Sequence, residues 1–294
     1  MRIAGGTEER WLGLRAGMLY RLIGFMNAFS LISSSYQKKA VLQEAAGQKL
    51  FDLLAIRRND SVMDLGCGPG HLTRKIRDLA TGTVYGIDPS ETMIGKARRN
   101  CQALAVTFLT TDAESFDTPQ TFDAIFCNSS FHWFHDPARA LANCCRVLRP
   151  GGRIAIQAPA RANYCPNFTK ATEALLADPR TRHAFSQFRP PWFFLETADE
   201  YARLAQSAGL TPRQCNIEES NELCLPDKVM AVFESGAAAG YLSSEYYETK
   251  VDSEYFDAAR RIIRASFQAQ ANENGNVPLT FSRIYMLAEK AVEG

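Results

Sequence analysis

Through the first half of the chain, short apolar runs alternate with longer stretches whose apolar positions recur every three or four residues. The runs predict strands at about 61–65, 83–87, 106–110, 123–127 and 152–158, and the periodic stretches predict helices at about 71–80, 91–103 and 136–148. Strands that alternate with helices in this way are expected to form a mostly parallel sheet with helices on both faces. Upstream, residues 18–32 read as an amphipathic or buried helix, and Ser33-Ser34-Ser35-Tyr36-Gln37 leads into a second helix from about Lys38 to Leu54. Downstream, 161–208 is an insertion with helices near 167–177 and 197–208 and an aromatic, Pro-rich piece around Pro190-Pro191-Trp192. Leu210 to Leu225 can hold a strand, Asp227 to Gly240 and Ser253 to Ala271 read as helices, and Val277 to Lys290 reads as a last, antiparallel strand. The expected fold is therefore α/β, a doubly wound, seven-stranded, mostly parallel sheet with helical cap insertions. Its expected organisation is one compact domain: an N-terminal helical cap segment (1–50), the sheet core (51–160), and cap insertions with the final strands (161–294).

Composition narrows the setting. A hydrophobic fraction of 46% and a charged fraction of 22% are those of an ordinary globular protein. The formal net charge of +1 gives no electrostatic reason to expect nucleic acid or an anionic membrane as the main partner. The apolar stretch from Leu22 to Ile32 follows Arg21, is interrupted by Asn27 and is too short to span a bilayer, so a helix outside the membrane is expected. The eight cysteines have no disulfide or metal spacing, which suggests a reducing, cytoplasmic setting and no bound metal.

Candidate chemistry begins where the first strand ends. Val62-Met63-Asp64-Leu65 runs into Gly66-Cys67-Gly68-Pro69-Gly70 and then a helix, and a glycine turn before a helix N-terminus lets a ligand lie against backbone N–H groups. A dinucleotide fingerprint needs its third glycine three residues after the second, where this chain has His71. The pattern Asp-x-Gly-x-Gly-x-Gly, followed by Thr83 to Asp88, Val106 to Asp112, Phe122 to Asn128 and Val147 to Gly152, resembles motifs I to VI of class I S-adenosylmethionine (SAM) methyltransferases. The resemblance covers about residues 50–160 and implies a Rossmann-like methyltransferase core that converts SAM to S-adenosylhomocysteine (SAH), without a metal.

The resemblance also implies roles. Backbone at Gly66, Gly68 and Gly70 would approach the methionine portion of SAM, with Asp64 near its ammonium and Asn128 bounding the same end. Asp88 would take the ribose hydroxyls, Met93 would pack on the adenine, Asp112 would accept the adenine amino group and the Ala113 N–H would reach a ring nitrogen. Tyr36 and Gln37 fit equally well as pocket-lining residues or as packing and surface residues. Asp112 has a competing role as a turn cap, and Met93 one as core.

Asn128-Ser129-Ser130-Phe131-His132-Trp133 resembles the Asn-x-x-Leu-Gln-Trp segment of trans-aconitate and malonyl-carrier-protein O-methyltransferases, with Phe131 and His132 where those have Leu and Gln. That likeness implies O-methylation of a carboxylate on a small-molecule acceptor. His132 is the candidate for a positioning or basic role, and Trp133, Arg161, Tyr164, Arg189, Trp192 and Arg283 are candidate acceptor contacts. Two other functions stay open on the sequence: N- or C-methylation of a small metabolite or quinone-like ring, and a non-catalytic SAM-binding regulator. Oligomeric state is not legible.

Overall fold

The structure, a computed structural model, describes residues 47–292. The readings of residues 1–46, including the 18–32 helix, Tyr36 and Gln37, lie outside the described residues. The core alternates as expected. Helical residues 47–54 (α1) precede β1 (Val62–Leu65), α2 (His71–Leu79), β2 (Val84–Asp88), α3 (Glu91–Asn100), β3 (Thr107–Thr110), β4 (Phe122–Asn128), α4 (Pro137–Val147) and β5 (Leu148–Pro159). The rest comprises α5 (Pro166–Ala177), the short α6 (Arg182–Phe185), α7 (Ala198–Ser207), β6 (Leu210–Cys224), α8 (Pro226–Ser235), α9 (Ala238–Tyr241), α10 (Ser253–Ala269) and β7 (Val277–Lys290).

The seven strands lie in the order β3-β2-β1-β4-β5-β7-β6. All neighbours are parallel except β7, which runs antiparallel to both β5 and β6. The chain winds outward from β1 to β3 and then returns to β4 on the other side of β1. That reversal opens a crevice at the carboxyl ends of β1 and β4, where ligands bind in sheets of this kind.

Alternation along the strands builds two cores. Met63, Ile125, Ile154, Ile156 and Met286 face α4 and α7 on one side, while Val62, Phe126 and Ala155 pack with Leu50, Leu54 and Ile76 of α1 and α2 on the other. Each of these side chains larger than alanine, fully buried, contributes roughly 1.5–3 kcal/mol. Arg153 ties α1 to this sheet: its guanidinium pairs with Asp60 at 2.8 Å and donates to the carbonyls of Leu54 and Ala55, each at 2.6 Å.

The pairing of β7 with β5 ends at Arg283 opposite Pro159, whereas its pairing with β6 continues to Val277 opposite Cys224. The two long strands therefore run past the carboxyl ends of the parallel strands. That extension is covered by α5, α8 and α10, with Phe168, Phe233 and Phe267 clustered beside Phe281. The cap thus stands above the crevice.

Two boundaries differ from the pattern. β5 starts at Leu148 because Leu148 pairs with Phe122 before a register shift carries the strand through Gly151 (φ +74) to Arg153 opposite Ala124. The stretch expected as one helix from Asp227 to Gly240 breaks at Gly236 into α8 and α9.

Candidate active site

Beyond β1 the backbone turns through Gly66, Gly68 and Gly70 with φ of +77°, +51° and +82°. A side chain is also sterically barred at Gly66, where a Cβ would lie 2.3 Å from the Ser130 Cβ, and would be tight at Gly70, 3.0 Å from the Ala97 Cβ. Gly68 differs, since a Cβ there would meet nothing within 4 Å among the described residues. The middle glycine therefore borders open space, as a turn receiving a ligand requires. Ser130 closes the turn from the other side by donating its Oγ–H to the Leu65 carbonyl at 2.8 Å. Asp64 lies beneath, 2% exposed, and Thr73 donates to its Oδ2 at 2.6 Å. Burial pushes the Asp64 carboxyl up to about 7 against the lowering effect of the Thr73 hydroxyl, and nearby Asp88 adds to the rise.

Asp88 ends β2 and pins the same turn. Its Oδ2 accepts the Gly68 N–H at 3.0 Å and its Oδ1 accepts the Ser90 N–H at 2.9 Å. A carboxylate oxygen has two lone-pair directions, so each keeps one for a ligand hydroxyl. Beside it opens a cavity of about 690 Å³, into which Gly66, Asp88, Asp112, Ala113 and Trp133 all come, as the sequence suggested for a nucleoside and its neighbour. Met93 is not among the described lining residues; it is half-buried at the start of α3, and the wall there is Ile87 and Pro89. Asp112 lines the cavity and also caps its own turn: hydrogen bonds from Ser115, its side chain first and then its N–H, which Oδ1 accepts at 2.7 Å, keep the carboxyl below its usual range.

The cavity also contains residues the sequence reading did not nominate, among them Glu114, Ser130, Arg139, Pro191 and Tyr246. Glu114 joins two walls, its Oε1 accepting the N–H groups of His135 at 2.8 Å and Asp136 at 3.2 Å. Ser130 carried a signal, standing two residues beyond the end of the fourth strand where the crevice was expected. Pro191 and Tyr246 carried none, since they arrive from cap segments without a periodic pattern. A cavity with room for a nucleoside, an open glycine turn and a carboxylate with spare lone pairs suit an adenosyl cofactor.

The pattern of a methyltransferase-domain family matches residues 63–156. The chain is 31% identical over 175 residues to a malonyl-[acyl-carrier protein] O-methyltransferase of Pseudescherichia vulneris, which covers 56% of this chain and 68% of that protein. A protein of the same name from Pectobacterium atrosepticum is 26% identical over 273 residues, covering 90% of this chain and 96% of its own length. The chain belongs to the class I SAM-dependent methyltransferases. Among solved structures, the YcgJ protein of Bacillus subtilis superposes with a TM-score of 0.56 at 19% identity, covering 85% of this chain and all (100%) of that one. The [4+2]-cyclase SpnF superposes with a TM-score of 0.52 at 17% identity, over 84% of this chain and 80% of its own. These two likenesses are of fold, and the second shows that the fold alone does not fix the chemistry.

In this methyltransferase the remaining nominated residues separate by their partners. Arg161 is paired with Glu219 at 2.9 Å, and Arg189 with Glu248 at 2.8 Å. Arg283 has no carboxylate partner among the described residues; its guanidinium lies 4.5 Å from the Phe281 ring centre and donates to Ser220 Oγ at 3.2 Å. Burial lowers its pKa, opposed by the facing Tyr285, Cys165 and Tyr164. Tyr164 is buried with its ring 5.4 Å from Phe194, and Trp192 meets Trp133 edge-on at 5.7 Å. Trp192 also fills the space over Gly240, where a Cβ would come within 2.3 Å of it.

His132 lies in the short helical turn Phe131–Trp133, stacked at 6.3 Å on Phe194, and its Nδ1 has no partner among the described residues. Burial drops its pKa to about 3, so it is neutral at physiological pH and binds a proton only weakly. The expected basic role therefore meets an apolar environment that works against it. The eight cysteines are all free, and among the described residues no group of three or more His, Cys, Asp or Glu side chains is placed to hold a metal.

Proposed function

We propose that this methyltransferase transfers the methyl group of SAM to a carboxylate oxygen, forming a methyl ester on a small or carrier-borne acid. The observation that carries the reading is Arg283, a half-buried guanidinium left without a carboxylate among the described residues at the edge of the cap, while Arg161 and Arg189 are already paired. A carboxylate from outside would complete it, and Arg binds such a group with two parallel N–H donors. The state of His132 supports the same choice. Amines and carbon acids must lose a proton before or during methylation, whereas a carboxylate is already ionised at neutral pH. The names of the relatives, O-methyltransferases of a malonyl group on a carrier protein, agree with it.

SAM supplies an activated methyl on a sulfonium, so the work left to the chain is positioning, which can be worth roughly 7–11 kcal/mol. In this reading the glycine turn receives the methionine end, with its ammonium near Asp64. Asp88 accepts the ribose hydroxyls, Asp112 and Ala113 meet the adenine, and Ile87 and Pro89 replace Met93 as its apolar wall. Trp133 and Trp192 exclude water between cofactor and acceptor, Tyr164 shapes the acceptor side, and Arg283 holds the acid while one of its oxygens takes the methyl and the carbon–sulfur bond breaks. The test is the product's chemistry. Radiolabelled methyl transferred to a panel of carboxylic acids should leave as volatile methanol in alkali; label that survives alkali would reject the carboxylate reading.

A further inference from the structure

Two side chains at the carboxyl ends of neighbouring strands each leave a polar atom bare. Gln157 of β5 is fully buried and its Nε2 has no acceptor among the described residues. Asn128, at the end of β4, is its direct partner in register, and among the described residues the Asn128 Oδ1 has no donor. Paired residues project from the same face of a sheet about 5 Å apart, so the two unpaired atoms belong to one place. Turning one amide toward the other would satisfy both, but the Gln157 amide is held in another orientation. Its Oε1 accepts the Ser129 Oγ–H at 3.0 Å, and its main-chain carbonyl accepts the Ser129 N–H at 2.7 Å. Ser129 in turn has φ of +55°, a left-handed conformation that serine seldom adopts. A strained residue thus fixes the orientation of a buried amide whose N–H is left unused, and bare buried donors combined with local strain mark places where a ligand completes the structure.

Resting on the proposed function, we infer that Gln157 is a specificity residue whose Nε2–H donates to a carboxylate oxygen bound above the ends of β4 and β5. A neutral donor suits this position. It orients the carboxylate through the oxygen that is not reacting, beside the charge that Arg283 supplies. Two carboxylates answer the description, that of the acceptor and that of the methionine end of the cofactor. The glycine turn follows β1, and β4 lies between β1 and β5, which favours the acceptor.

The test uses Gln157→Glu, which keeps an acceptor for Ser129 and the side-chain size but replaces the N–H donor with an anion. Calorimetric titrations with SAH and with methylthioadenosine, which lacks the amino-acid end, are combined with steady-state kinetics on trans-aconitate and a malonyl thioester. The expected result is an acceptor KM raised roughly tenfold or more, with kcat nearly kept and both nucleoside affinities unchanged. A tenfold loss for SAH alone, with methylthioadenosine unaffected, would assign the same donor to the carboxylate of the cofactor. The inference is overturned if KM and both affinities match wild type, or if SAH and methylthioadenosine weaken together, which would mean only a loosened turn. Wild-type protein that esterifies none of the acids overturns the proposed function and the acceptor half of this inference, while the calorimetry still decides the cofactor half.

Discussion

Asp64 allows the sharpest physical test of the cofactor turn. Its carboxyl is 2% exposed, and the carboxyl's pKa is raised from 3.8 to about 7, chiefly by burial, because a single Thr73 hydroxyl compensates little of the lost hydration. In the window between those values the folded chain keeps a proton that the unfolded chain releases. The contribution to stability is therefore full below the unfolded value and is lost as pH rises through the folded one. At 1.36 kcal/mol per pH unit, the loss across the window is at most about 4 kcal/mol. Urea unfolding of wild type and Asp64→Asn at several pH values between about 4 and about 8 isolates it, because the other titrating groups are common to both. Wild type should lose up to that amount relative to the variant on going to high pH. Saturating SAH, whose ammonium is proposed to lie near Asp64, should reduce the loss. Parallel stability curves for the two proteins would refute the buried, uncompensated carboxylate.

Two further outcomes follow from the same geometry. Gly66→Ala should destabilise by roughly 1–2 kcal/mol for a left-handed alanine plus roughly 1–3 kcal/mol for its clash with Ser130; adding Ser130→Gly should restore at most the second share, less what the Ser130 hydroxyl bond to Leu65 contributed, as read by urea melts. His132→Gln should leave the shape of the kcat–pH profile between about pH 6 and about pH 9 unchanged, since the native side chain is neutral throughout that range; a lost acidic limb in the variant would restore a role for His132 in proton transfer.

How much the sequence disclosed depends on what each feature needs. The core strands and helices were readable because burial on one or both faces imposes a period, and the site at the ends of β1 and β2 was readable because the glycines and Asp88 have fixed offsets along one short stretch. Residues whose state depends on a distant partner were not. Arg161 and Arg189 looked as available as Arg283 until Glu219 and Glu248, supplied by β6 and the loop before α10, were seen to pair with them. Pro191 and Tyr246 enter the cavity from the cap, whose irregular segments have no period to reveal which side faces inward. Met93 stands in the first turn of α3 with its N–H on the Ser90 cap, while Ile87 and Pro89 line the cavity. Gln157 read as one more residue in a buried strand, and only its unpaired Nε2 sets it apart.

The central claim concerns Asp88, the carboxylate that holds the glycine turn and is proposed to accept the ribose hydroxyls. Calorimetry of SAH with wild type and with Asp88→Ala tests it. The account predicts clear uptake by wild type and a loss on the order of a hundredfold or more in the variant, the equivalent of two hydrogen bonds to a charged group. Equal affinities in the two proteins, or no uptake by folded wild type, would contradict it.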